Sequence, residues 1–297
     1  MFNVQSVPKG GFKKSKIIRA YCRDRSRDAS NSAAMQPKLS HLRLLGYVTT
    51  IVLHLGNSIW LIKGHAAAVG DVDLKYFRHF QYRYFTVWTF AIQIFHAFLG
   101  VICEILIWKN LKTVNYSLPK HLRRARDTIF ASIVVPTTFL VSTFFWTIFI
   151  YDRELIYPAF IDRVLSTLNN HIMHTFIVLP ATWEMVTQPR NQPRSHRRYI
   201  AHLGFHIFVY IFVMVYSYIE TGEWIYPLYG KLYGTIYFYL LIVLQLISAL
   251  LFYHMQWAFT RLPVSDRPYS RGGVCRPGPG LREPYRTYPQ AHDLHVK

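Results

Sequence analysis

Six blocks of mostly apolar residues, each near the length of one membrane crossing, dominate this 297-residue chain: 44–62, 84–108, 128–151, 170–186, 199–219 and 234–257. A helix needs about 20 residues to cross a hydrocarbon core of about 30 Å. Backbone groups in lipid find no water, so a spanning block closes its hydrogen bonds within itself, as a helix. The blocks are apolar all round, as in TFFWTIFIY at 143–151, and lack the stripe that a soluble bundle buries. The expected fold is all-α: a polytopic membrane protein with six transmembrane helices. The block that starts at Asn170 is the shortest and holds two His and a Glu.

A net charge of +19 would point to nucleic acid on a soluble chain. Its placement argues otherwise. The two tails with the second and fourth loops carry 27 of the 34 Lys/Arg. Positive residues collect on the cytoplasmic side. Both termini are therefore expected in the cytoplasm, and loops 63–83, 152–168 and 220–233 face the lumen or exterior. The membrane is expected to be that of the endoplasmic reticulum or the cell surface, and no nucleic-acid partner is expected. Residues 1–43 read as a basic, disordered cytosolic tail without the apolar core of a secretory signal, and Met35 offers an alternative start. Residues 44–257 form the transmembrane domain, and 258–297, with PGPG and scattered Arg, a second disordered basic tail. Cys22, Cys103 and Cys275 make no disulfide framework. The sequon Asn115-Tyr116-Ser117 lies in the second loop and should stay unmodified. A glycosidase-sensitive mass shift that disappears in Asn115→Gln would reverse the orientation.

Ionisable groups inside spans are costly and mark candidate sites. Glu104, Glu184 and seven histidines qualify. His54 and His96 fall near mid-bilayer on neighbouring helices. They suit either the axial ligands of a haem or metal centre or a polar contact between helices. His202 and His206 enter from the cytoplasmic side, far from His174 by helix rise. Glu184 lies three turns below His174 and reads as structural. The stretch LNNHIMHT at 168–175 opens the fourth block. Asn169 or Asn170 can cap the helix that follows. That helix end favours neutral imidazole, which can act as a general base.

Three stretches carry a resemblance: YFTVWTFAIQ (84–93), IYDRELIYPAFID (150–162) and NNHIMHT (169–175), followed by TGEWIYPLY (221–229). Over residues 44–257 the chain resembles the androgen-induced protein family of membrane hydrolases, which cleave fatty acid esters of hydroxy fatty acids. The resemblance implies a threonine nucleophile at Thr86 and a histidine base at His174, with a lipid substrate arriving from the bilayer. It implies no cofactor or metal. Charge counting places all four stretches on one face of the membrane. A threonine hydroxyl needs an adjacent base to attack an ester. Asp152 is a candidate to orient that base, or else part of a surface ion pair. Thr89 and Thr175 stand close enough to compete for the nucleophile's role. A non-enzymatic membrane protein on the same scaffold is the remaining alternative.

Overall fold

The computed structural model describes residues 39–259, apart from 67–69, 71, 111–115, 189 and 191. Most of both expected tails, and Asn115, lie outside these residues. The described chain is helical and contains no strand. Five helices are long and apolar enough to cross a membrane: Leu39–Ala66, Phe85–Lys109, Lys120–Leu155, Arg197–Thr221 and Ile236–Phe259. Leu39–Ala66 is α1, and the short helix Val72–Phe80 is α2. Phe85–Lys109 is α3. The third rod is built of α4 (Lys120–Ile129), a π segment (Phe130–Val134) and α5 (Val135–Asp152). The block at Asn170 is also composite, made of α6 (Thr167–His171), a second π segment (Ile172–Phe176) and α7 (Val178–Thr187). The remaining helices are α8 (Arg197–Thr221), α9 (Pro227–Leu232) and α10 (Ile236–Phe259).

The two π segments share a physical cause. A proline within a helix lacks its N–H, and its ring collides with the carbonyl four residues earlier. For Pro136 that carbonyl belongs to Ser132, and for Pro180 to Phe176. Both carbonyls lie inside a π segment. Widening the turn by one residue makes room for the ring without breaking the rod.

Small residues let α1 lie close to its neighbours. A Cβ on Gly46 would stand 2.3 Å from the Trp183 ring, and one on Gly100 would stand 2.6 Å from Tyr47. Helices in lipid associate through close packing and polar contacts, since hydrocarbon supplies little drive between apolar surfaces. Large apolar side chains of α10, including Leu240, Leu244, Ile247 and Leu251, accordingly point outward.

One junction is held by buried charge. The Glu104 carboxylate accepts from Ser40 Oγ at 2.7 Å and from Arg43 Nε at 2.9 Å, with Arg126 Nη1 at 3.6 Å. Glu184 pairs with Arg190 and, at 2.8 Å, with His96. Arg190 Nε lies 3.7 Å from Asp127. This junction corrects the first boundary: residues 39–43 belong to α1 and not to a tail, because Glu104 draws Ser40 and Arg43 inward. It also gives Glu184 the structural role expected for it.

Candidate active site

Helix α3 begins abruptly. Tyr84 holds extended backbone angles (φ −70°, ψ 136°), and Phe85 starts the helix. The Phe85 N–H donates to two tyrosine hydroxyls, Tyr210 at 3.1 Å and Tyr226 at 3.0 Å. Thr86, the next residue, is therefore held in the first turn.

His174 approaches from the second π segment. Ser166 caps α6 by accepting from Asn169 N at 3.3 Å, so neither asparagine of LNNHIMHT does the capping. Asn169 instead donates from Nδ2 to Asn57 Oδ1 at 2.7 Å and ties α6 to α1. Asn170 turns toward His174. Its side-chain Oδ1 lies 2.7 Å and its backbone oxygen 3.1 Å from His174 Nδ1. A backbone oxygen only accepts, so Nδ1 carries the proton. In the neutral ring Nε2 then presents its lone pair, and Thr86 Oγ1 lies 3.3 Å from it. The Phe145 ring stacks on the imidazole at 3.4 Å between centroids and 6° between planes, which fixes its tilt. A hydroxyl, an imidazole and an amide that bonds the far side of the imidazole stand in line, an arrangement able to activate the hydroxyl.

The group that bonds His174 Nδ1 is thus Asn170 and not Asp152. The Asp152 carboxylate accepts from Glu154 N at 3.1 Å, and Arg153 pairs with Asp162 at 2.8 Å. The DRE stretch is a surface cluster. Sequence reasoning assigned Asn170 to capping; its spacing of four from His174, one helical turn, was the available signal. The competing threonines are otherwise engaged. Thr89 Oγ1 donates to Phe85 O at 3.0 Å, and Thr175 Oγ1 lies 3.1 Å from His171 Nδ1.

His206 departs from expectation. Its ring lies 5.8 Å from Phe85 and 5.9 Å from Trp88. Tyr210, which reaches Phe85 N, stands roughly 16 Å along α8 from its Thr221 end. Depth counted from helix ends assumed that α3 starts level with α8. Instead Phe85, at the start of α3, meets Tyr210 near the middle of α8.

A cavity of about 140 Å³ opens onto both Thr86 and His174. Its walls are nearly all apolar, with Leu61, Leu140, Phe144, Ile211 and Leu246 among them. It extends from the Thr86–His174 pair toward the middle of α5 and α10.

A haem does not fit between His54 and His96. His54 Nε2 bonds Gln93 Oε1 at 2.7 Å, and Phe90 covers its face at 3.9 Å. His96 Nε2 lies 2.9 and 2.8 Å from the two Glu184 oxygens. The cavity beside His96 measures about 10 Å³, room for a single water and not for a macrocycle. Both histidines are polar contacts between helices. Among the described residues no group of three or more His, Cys, Asp or Glu is arranged to hold a metal ion.

Residues 49–258, most of the chain and all of this site, match the family described as FAR-17a/AIG1-like protein. The chain belongs to that family. Among similar proteins, the androgen-dependent TFPI-regulating protein of Mesocricetus auratus is 31% identical over 193 residues, covering 62% of this chain and 80% of its own. That of Mus musculus is 30% identical over 190 residues, with 62% and 80% covered. The human androgen-induced gene 1 protein is 33% identical over 108 residues, 36% of this chain and 45% of its own. No solved structure matches.

Proposed function

We propose that this protein is a membrane-embedded threonine hydrolase that cleaves fatty acid esters of hydroxy fatty acids. The observation that carries the reading is the Thr86–His174–Asn170 line at the mouth of an apolar cavity. Family membership and the resemblance of the YFT and NHIMHT stretches support the same residues.

His174 Nε2 takes the Thr86 proton as Oγ1 attacks the ester carbonyl carbon, and a tetrahedral oxyanion forms. The C–O bond to the hydroxy fatty acid then breaks, and the imidazolium returns the proton to the departing alkoxide. This leaves an acyl ester on Thr86 and a free hydroxy fatty acid. A water molecule, deprotonated by His174, attacks that ester; the bond from the acyl carbon to Thr86 Oγ1 breaks, His174 returns the proton to Oγ1, and the fatty acid leaves. Asn170 Oδ1 holds the Nδ1–H throughout, so Nε2 keeps facing the nucleophile. The apolar walls receive acyl chains and exclude bulk water, which strengthens every polar contact at the ester. On the charge-based orientation the site opens toward the lumen or exterior.

A fluorophosphonate with a long alkyl chain tests the nucleophile directly. In detergent-solubilised protein it should label Thr86 stoichiometrically by peptide mass mapping, and preincubation with a branched fatty ester should slow the labelling. Label on Thr175 or Thr89 with Thr86 unmodified would contradict the assignment.

A further inference from the structure

Ester cleavage needs donors for the charge that develops on the carbonyl oxygen, and the corner at the start of α3 supplies them. We infer that the Tyr226 hydroxyl and the Thr86 backbone N–H form the oxyanion site, with the Tyr210 hydroxyl positioning Tyr226; this rests on the hydrolase reading above.

The hydrogen-bond count at this corner is uneven. One Phe85 N–H faces two phenol oxygens, at 3.1 and 3.0 Å, where one acceptor would satisfy it. The Tyr210 hydroxyl further donates to Tyr226 Oη at 3.5 Å. Tyr226 Oη thus accepts twice, while its own O–H has no acceptor among the described residues. Accepting two hydrogen bonds polarises a hydroxyl and strengthens it as a donor. Both tyrosines line the cavity that also contains Thr86 and His174. Burial raises the Tyr226 hydroxyl above its ordinary pKa of 10.0, while the bonds from Tyr210 and Phe85 N pull it back. The proton therefore stays on Tyr226 at neutral pH and remains available to donate.

Thr86 adds the second donor. At the second position of α3 its N–H has no intrahelical acceptor, and the positive end of a 25-residue helix stands behind it. As Thr86 Oγ1 bonds to the carbonyl carbon, the carbonyl electron pair moves onto the oxygen. That oxygen takes the Tyr226 O–H and the Thr86 N–H while the C–O⁻ persists. When the oxyanion collapses to the acyl ester, both donors are released unchanged, so no proton is transferred at this site. Tyr226 is then a catalytic residue, and Tyr210 a positioning residue that acts through it.

Tyr226→Phe removes one hydroxyl and leaves Tyr210 to accept the Phe85 N–H, so the helix start is retained. Hydrolysis of a branched fatty ester should lose about 100-fold in kcat, the scale of one oxyanion donor. KM, and the Kd of the matching non-hydrolysable ether, should move by less than about threefold, since an ether develops no oxyanion. A trifluoromethyl ketone analogue, which adds Thr86 as a hemiketal anion, should weaken by nearly the same factor as kcat. Tyr210→Phe should show the same pattern at about a tenfold loss, because the polarising bond is gone while Tyr226 still accepts the Phe85 N–H. Unchanged kcat in Tyr226→Phe would overturn the inference. So would a loss that appears equally in ether binding, which marks a structural cap. Thr86→Ala separates the two readings. If it is inactive while Tyr226→Phe keeps wild-type kcat, the oxyanion assignment fails and the hydrolase stands. If Thr86→Ala is active, Thr86 is not the nucleophile, and the covalent mechanism on which the oxyanion site rests fails with it.

Discussion

Thr86→Ala and His174→Ala should each reduce hydrolysis of a branched fatty ester by about 10⁴-fold or more, as for other nucleophile–base pairs. The double variant should be hardly worse than either single one, because the two groups serve one proton transfer. Thr86→Ser keeps the hydroxyl 3.3 Å from Nε2 and should retain measurable turnover. Asn170→Ala leaves Thr86, His174 and the backbone acceptor of the Nδ1–H in place but removes the 2.7 Å side-chain bond that holds the ring. Its loss should be about 10- to 100-fold, the usual scale for an orienting partner. Thr89→Ala and Thr175→Ala should stay near wild type, since their hydroxyls bond Phe85 O and His171. The measurement is initial rate per folded molecule in detergent or nanodiscs. A well-folded Thr86→Ala protein at the wild-type rate would end the covalent mechanism.

Glu104→Ala should be the most damaging single change for stability. Glu104 is fully buried and receives Ser40, Arg43 and Arg126 at once. Removing its carboxylate leaves two buried guanidiniums without their shared anion, at a cost of about 3–5 kcal/mol. Thermal unfolding in detergent should fall by about 10 °C, with much reduced yield. Arg153→Ala also breaks an ion pair, but its partners Asp162 and Glu154 are more than half exposed. It should cost less than about 1 kcal/mol. Equal melting temperatures for the two variants would show that the Glu104 junction is not what holds α1 to α3 and α4.

The helices were legible because each apolar block has to close its own backbone bonds in lipid, whatever its neighbours do. The Thr86–His174 pair was legible only through resemblance, since nothing local relates positions 86 and 174. Asn170 was misassigned for a specific reason. A capping role depends on where the helix starts, and Ser166 starts it one turn earlier. The start of α1 was misplaced because Arg43 looks like a tail residue until Glu104, 61 positions away, is known to face it. The place of His206 failed likewise, because nothing in the sequence sets how far along α8 the start of α3 docks. The convergence of Tyr210 and Tyr226 on Phe85 spans 125 and 141 residues and lies beyond any periodicity. The π segments were within reach: Pro136 and Pro180 each name a carbonyl that has to move.

The second π segment has a consequence for how this site can change over time. One surplus residue in a helical turn rotates everything before it by about 100° relative to everything after it. His174 sits inside that surplus, so its bearing toward Thr86 is decoupled from the face that α7 turns to its neighbours. Substitutions along α7 can retune how the rod sits in the bundle while the imidazole keeps its aim. Loss of a single residue between 172 and 176 would instead swing the ring into another sector, with every side chain still present. The site therefore tolerates drift in composition far better than drift in count, and Pro180 is the residue that enforces the count.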